Sequence, residues 1–207
     1  MSDTVKLSWL GHACFRMEYR GFSLITDPYA DGSVPGLPPL RTRADAVFCS
    51  HDHADHNFIQ GVELSGRPAP EDFSAAEARC PHDDQGGQLR GMNTVRLFRF
   101  GSLGVAHMGD VGCLPGEDVL SLIRGCSLLL IPVGGFYTAD AHTAFEICRA
   151  AAPRAVLPMH YRCGGCGYEV LDTVDSFARR FPTQLRLGGR SLVLTEDTPR
   201  GLVLLHL

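Results

Sequence analysis

The stretch Ala46-Val47-Phe48-Cys49-Ser50-His51-Asp52-His53-Ala54-Asp55-His56 decides how the rest of the chain is read. Its first five residues are apolar or small and have the length of a strand. Three histidines and two aspartates then fall within six positions, 51 to 56. Imidazole nitrogen and carboxylate oxygen are ligands that suit zinc, manganese or iron. Side chains at 51 and 53 share one side of an extended segment, so His51 and His53 are expected to hold one cation together. Asp55 and His56 follow once the strand turns and are expected to face a second cation. A solvated polar loop has no reason to favour imidazole over Ser, Gly or Lys at so many positions.

Upstream, Val5 to Leu10, Cys14 to Tyr19 and Phe22 to Thr26 are strand-length runs separated by Gly11 and by Tyr19-Arg20-Gly21, a predicted antiparallel meander. Asp31 to Pro39 holds two Gly and three Pro and is expected to be a surface loop. Downstream, Phe58 to Arg79 is irregular, with short strands predicted around Gly61 to Leu64. Thr94 to Phe100 and Gly104 to Met108 are predicted to pair as a hairpin about Gly101-Ser102. Glu117 to Arg124 has helical spacing with Gly125 as its cap. Ser127 to Val133 and Ala155 to Pro158 are apolar runs expected to be strands buried on both faces. Helices are predicted at Ala139 to Ala151, capped by Thr138 and followed by Pro153, and at Val170 to Phe181. Ser191 to Leu194 and Gly201 to Leu207 are the expected closing strands. Strands first, then strands alternating with helices, predict one mixed α/β (α+β) domain over residues 1–207, with helices covering both faces of its sheets.

Six further segments are read together with the 51–56 cluster, in order: Trp9-Leu10-Gly11-His12, Thr26-Asp27-Pro28, His82-Asp83-Asp84, Arg90-Gly91-Met92-Asn93, Gly109-Asp110 and Pro158-Met159-His160. With His51-x-His53-x-Asp55-His56 after an apolar strand, they resemble the metallo-β-lactamase superfamily. More narrowly, they resemble the bacterial branch that includes the ascorbate-phosphate lactonase, over roughly residues 7 to 162. The resemblance implies a four-layered αβ/βα sandwich with two metal ions at the edge between its sheets. It assigns His51, His53 and His82 to the first metal and Asp55, His56 and His160 to the second. Asp110 would bridge both, and Asp27 would support the cluster from behind.

The residues also speak for themselves. Asp110 follows a predicted strand and is flanked by Gly109 and Gly112, which leave space for backbone beside a ligand. His160 ends an apolar strand, where sites form in α/β sheets. His82 has a competitor in His107. If Gly104 to Met108 runs on toward Asp110, positions 107 and 110 point to opposite faces, which favours His82 as the ligand. His12 is either a site residue in the first turn or a buried structural histidine; His142 and His206 are expected to be structural. Tyr137 and Thr138, in Gly134-Gly135-Phe136-Tyr137-Thr138, serve substrate binding or only turn and cap geometry. Arg90 and Arg162 are the candidates for gripping a phosphate or carboxylate. Cys163-Gly164-Gly165-Cys166 is expected to be a mobile flap over the site, its thiols incidental.

The expected chemistry is hydrolysis. Two divalent ions, zinc first and manganese or iron as alternatives, would share a hydroxide that attacks an ester, lactone, amide or phosphodiester of a small molecule, with Asp55 and Asp110 as the catalytic carboxylates. The alternatives are a nuclease and a non-enzymatic metal-binding protein. A net charge of −4, from 19 Lys plus Arg against 23 Asp plus Glu, argues against nucleic acid or an anionic membrane as partner. The longest apolar runs are too short to span a bilayer, and Met1-Ser2-Asp3-Thr4 lacks a signal peptide's basic start, so a cytoplasmic location is expected. A homo-oligomer remains open. Eight cysteines without an export signal are expected to be mostly small buried residues.

Overall fold

The expected meander opens the computed structural model, which describes residues 2–207. Strands β1 (Val5–Gly11), β2 (Cys14–Tyr19) and β3 (Phe22–Thr26) pair antiparallel. Alternation sends Val5, Leu7, Trp9, Phe15 and Met17 into one core while Lys6 stays outside. There follow β4 (Thr42–Ala44), β5 (Ala46–Phe48), β6 (Val62–Leu64), β7 (Phe73–Pro81), β8 (Met92–Phe100), β9 (Leu103–His107), helix α1 (Glu117–Ile123) and β10 (Leu128–Pro132). Helix α2 (Ala141–Ala151), β11 (Ala155–Met159), helix α3 (Asp175–Ala178), β12 (Gln184–Arg186), β13 (Ser191–Leu194) and β14 (Gly201–Leu204) complete the order.

One sheet runs β13-β1-β2-β3-β5 and the other β12-β14-β11-β10-β9-β8-β7, with β4 and β6 as a separate ribbon. The sheets pack face to face over one apolar cluster that reaches from Val5 to Leu205. Aromatic pairs cross it: Tyr19 with Phe100, Phe48 with Phe98 and Phe22 with Phe73, at centroid distances of 5.5, 5.0 and 5.0 Å. Strands β9, β10, β11, β14 and β12 run parallel, and β10 and β11 are buried throughout, as their unbroken apolar sequence predicts. Helices α1 and α2 pack on the outer face of this larger sheet. Outside the smaller sheet, the loop after β3 and the β4–β6 ribbon stand in place of helices, closing over Cys14, Ile25, Tyr29, Val34 and Leu40.

Four local expectations change. The irregular region contains β7, a nine-residue strand paired along its length with β8. The strand before the histidines ends at Phe48. The helix expected to start at Ala139 starts at Ala141, because Asp140, not Thr138, is its cap: the Asp140 carboxylate accepts the Thr143 N–H at 2.7 Å. The helix expected over 170–181 shrinks to α3, because the backbone before it is committed elsewhere. Asp172 N–H donates to Gly134 O (2.9 Å), and Asp172 O accepts from Arg162 N–H (3.0 Å).

What positions the site is the shared edge of the two sheets. Register aligns Thr26 with Phe48, His107 with Leu130 and Pro132 with Met159, so β3, β5, β9, β10 and β11 deliver the segments that follow them to one place. The β1–β2 turn lies there too, since His160 N–H donates to His12 O at 3.3 Å. Ligand sites form at such strand ends in parallel sheets.

Candidate metal centre

After Phe48 the chain is caught by Asp27. Its carboxylate, 1% exposed, accepts Ser50 N–H (2.7 Å), Ser50 Oγ–H (2.6 Å) and the Nδ1–H of His56 (2.8 Å). Ser50 Oγ in turn lies 2.9 Å from His51 Nδ1, which donates to it. Residues 51–56 are therefore a turn and not a strand extension: the N–H groups of His56 and Asn57 both donate to His53 O. The network fixes the protons of both rings on Nδ1 and turns Nε2 of His51 and His56 inward. His51 and His53 still meet, at 4.5 Å between rings, but through the turn and not through strand alternation. Asp52 faces outward and accepts from Asn57 Nδ2 at 2.6 Å.

Asp110 is the centre. Its Oδ2 lies 3.1 Å from His56 Nε2, 3.2 Å from His160 Nε2, 3.4 Å from His82 Nε2 and 3.9 Å from His51 Nε2. The Asp110 backbone N–H donates to Asn93 Oδ1 (2.9 Å), while Asn93 Nδ2 donates to Met108 O (2.8 Å). Gly109, at φ 53°, lets this loop press onto Asn93 and Ser50, where a Cβ would collide with both. Asp55 Oδ2 accepts from His12 Nε2 at 3.2 Å. His12, Asp27 and His160 have φ of 53°, 43° and 53°. This left-handed conformation costs roughly 1–2 kcal/mol per non-glycine residue. Such strain gathers where the surrounding fold over-determines a site.

Seven side chains predicted as ligands thus converge. The donor atoms of His51, His53 and His82 lie within 4.8 Å of one another, as do those of His12, Asp55, His56 and His160, and those of His51, His56 and Asp110. His12 joins the second group. His107 does not join: its Nε2–H donates to Ala13 O (2.9 Å) and its Nδ1 accepts from Gly109 N–H (3.1 Å), so both nitrogens are spent.

Burial and neighbouring charges shift the titration of the cluster's side chains. Burial opposes a charge on His56, but the carboxylates of Asp110 and Asp27 outweigh it and raise its pKa well above the imidazole range. Burial and the neighbouring His160 lower His12 to about 4, and burial with His56 lowers His51 to about 4. Burial pushes Asp110 up, but His160 and His56 hold it well below the carboxylate range; Asp55 is likewise held low, chiefly by the His12 hydrogen bond against its burial.

A cation fits this donor set. Among the described residues, six buried side-chain atoms lack a hydrogen-bond partner, and all belong here: His12 Nδ1, His51 Nε2, His56 Nε2, His82 Nδ1, His160 Nδ1 and Asp110 Oδ1. Each would cost about 1–3 kcal/mol if left so. One carboxylate oxygen has two lone pairs, too few for four imidazoles. Imidazole nitrogens and ionised carboxylates around a common point are the donor set of a divalent ion.

A cavity of about 320 Å³ opens over the cluster, lined by His53, Asp55, His82, Arg90, Asp110, Tyr137, His160 and Tyr168. Tyr137 and Arg90 stand where the sequence suggested. Arg162 does not: its Nε donates to Leu171 O (3.2 Å), and it lines a separate cavity of about 680 Å³. The Cys163–Cys166 segment lines that other cavity as well. It is a tied two-glycine turn and not a flap over the cluster. Cys163 and Cys166 exchange backbone hydrogen bonds (2.9 and 2.6 Å), and Gly167 N–H donates to Pro35 O (2.9 Å). Both thiols are free. Tyr168 is the residue that sequence reasoning missed. Its hydroxyl lies 2.7 Å from Ser33 O and 3.2 Å from Asp55 Oδ2, with one proton to give. Only its place two residues after the glycine turn hinted at it.

This arrangement of sheets and ligand-bearing loops defines a class. The description "Beta-lactamase superfamily domain" matches residues 6–160, and the chain belongs to the metallo-β-lactamase superfamily. Within it, the chain is 24% identical to a UPF0173 metal-dependent hydrolase of Hyperthermus butylicus, over 90% of this chain and 94% of that one. A Thermotoga maritima structure, assigned to the zinc-dependent hydrolases of the superfamily, superposes with a TM-score of 0.75 and 28% identity, covering 97% of this chain and 98% of its own. Igni18, a metallo hydrolase of Ignicoccus hospitalis, shares the fold at a TM-score of 0.62 and 21% identity, over 86% and 90% of the two chains. Among the described residues no helix is long and apolar enough to cross a membrane.

Proposed function

We propose that this chain is a metal-dependent hydrolase that uses two divalent ions, zinc in the first instance, to cleave an ester, lactone, amide or phosphodiester bond of a small molecule. The reading rests on one observation above all. Four imidazoles crowd the Asp110 carboxylate with their remaining valences unmet, at the floor of a cavity open to solvent. His51, His53 and His82 would hold one ion, and Asp55, His56 and His160, with His12 behind them, the other. Asp110 would lie between. When bound, such ions supply an activated water and a Lewis-acid charge at the reacting bond.

The protein's own groups do the rest. Asp55, ionised and held by His12 Nε2, has an oxygen free to take a hydrogen bond from the attacking water and so to aim it. His56 would hold an ion through a deprotonated Nε2, and Asp27 keeps its Nδ1–H fixed so that the ring does not turn. A cavity of about 320 Å³ suits a small substrate and not a folded polymer. The test is metal analysis of protein purified without added metal, joined to a screen of lactones, phosphodiesters and thioesters. Near two ions per chain and turnover of one class are expected. Protein without metal affinity, or fully loaded protein inert toward every class, would overturn the proposal.

A further inference from the structure

Cys163 and Cys166 face each other across a two-residue turn. Gly164 and Gly165, at φ 51° and 90°, take the left-handed backbone that such a hairpin turn requires at both central positions. The flanking cysteines form an antiparallel bridge and exchange both backbone hydrogen bonds, at 2.9 and 2.6 Å. A directly opposed, hydrogen-bonded pair has its Cα atoms about 5.5 Å apart and its side chains on one face. Disulfides take Cα separations of roughly 4.4–6.8 Å, so the backbone already spans the right distance.

The pair is also open to reagents. Both side chains are half-buried and line the cavity of about 680 Å³, whereas Cys14, Cys80, Cys126 and Cys148 are buried. Among the described residues no third His, Cys, Asp or Glu joins the two sulfurs in a metal-holding group. A disulfide needs Cβ atoms about 3.5–4.5 Å apart, and a hydrogen-bonded pair leaves them at roughly 5 Å. Closing the bond therefore costs some strain, which makes it easier to reduce than a structural disulfide.

We propose that Cys163 and Cys166 are a thiol–disulfide site, which forms one reversible disulfide by exchange with small disulfides such as oxidised glutathione and thereby sets the hold on the loop at residues 33–36. This inference does not depend on the hydrolase reading. The Cys166 thiolate attacks one sulfur of the small disulfide, and one glutathione leaves as thiolate. Cys163 then attacks Cys166 Sγ in the mixed disulfide, and the second glutathione leaves. The two cysteine protons end on the two glutathione thiols, and two electrons pass from the cysteine pair to the small disulfide. Cys163 suits the second step. Burial and the neighbouring Cys166 push its thiol up to about 11, and the charge of that neighbour is gone once its sulfur is bonded to glutathione.

Oxidation reaches the loop through one proton. Cys166 Sγ–H donates to Gly36 O at 3.3 Å, and the disulfide has no proton to give. Gly36 presses on the turn so closely that a Cβ would collide with Gly165 O. Ser33 O, in the same loop, lies 2.7 Å from the Tyr168 hydroxyl, whose other neighbour is Asp55.

The full chain is reduced, freed of reductant, equilibrated with varied ratios of reduced to oxidised glutathione, alkylated and cut with trypsin. Cleavage after Arg162 and Arg179 places both cysteines, and no others, on peptide 163–179. That peptide is expected to lose two hydrogens as oxidised glutathione rises and to regain them when the ratio is reversed. Cys163→Ser, checked for folding by thermal melting, should instead keep one glutathione on Cys166. Amide hydrogen exchange at residues 33–37 is expected to be several-fold faster in the oxidised protein. Two alkylatable thiols in excess oxidised glutathione, or glutathione on both cysteines with no internal bond, would overturn the site. A disulfide with unchanged exchange at 33–37 would overturn its hold on the loop.

Discussion

Replacing Asp27 by asparagine removes a charge while keeping the shape of the side chain, and it isolates what holds the ligand turn. In the native chain three donors meet this buried carboxylate: Ser50 N–H, Ser50 Oγ–H and His56 Nδ1–H, all within 2.8 Å. Asparagine keeps one acceptor oxygen and sets an NH2 against one of these donors. At least one charge-assisted bond, worth about 1.5–3 kcal/mol, is lost, and one donor is left buried without a partner at about 1–3 kcal/mol. The expected loss of stability is about 3–5 kcal/mol, read as a lower guanidinium midpoint of the metal-free protein at constant m. His56 also loses the anchor for its ring, so zinc affinity should drop about 10–100-fold in a competition titration against a chromophoric chelator. Ser50→Ala, which spares the Asp27–His56 bond, should cost less on both measures. If Asp27→Asn kept its midpoint and its zinc affinity, the network would not orient His56, and the account of the site would be wrong.

Substitution of Asp110 by alanine, or of His53 by alanine, is expected to lower bound metal and turnover together by roughly 100-fold or more, checked by elemental analysis and by rate on whichever substrate the screen yields. Tyr168→Phe removes the hydroxyl shared by Ser33 O and Asp55 Oδ2. A stability loss of about 1 kcal/mol is expected with metal content intact, and a full loss of metal would place Tyr168 among the ligands instead. The metal-free protein should lose stability as pH falls from about 6.5 toward 4. In that window His12 and His51, lowered to about 4, bind fewer protons folded than unfolded, so their contribution is complete above the window and gone below it. Denaturation midpoints across pH should flatten there in His12→Gln.

Much of this was legible because the chemistry is concentrated. A hexapeptide with three imidazoles cannot be mistaken for filler, and the apolar runs around Leu128 and Ala155 are strands because nothing else buries so short an unbroken run. The losses have physical causes. Strand β7 shows no alternation because it is an edge strand, exposed along most of both faces, and its Ala75-Ala76-Glu77-Ala78 would suit a helix; only pairing with β8 makes it a strand. The segment before α3 has helical spacing, yet its backbone groups serve the site loops. Arg162, by its sequence a candidate for gripping a phosphate or carboxylate, lies two residues from His160, but after the left-handed residue at 160 the chain turns its side chain to the other cavity. Tyr168 reaches the cluster from a segment with no pattern at all.

The pairing of β1 with β13 joins Val5 to Leu194, while β14 returns to the larger sheet beside β11. Strand β1 is thus completed by a strand that lies far along the chain. The edge of β1 stays unpaired until β13 is in place, and the edge of β11 until β14 is. Closure of that long loop comes late and at high entropic cost, so this fold assembles slowly for its size. Until β13 and β14 dock, each on its own sheet, the folding chain offers two open edges to any neighbour.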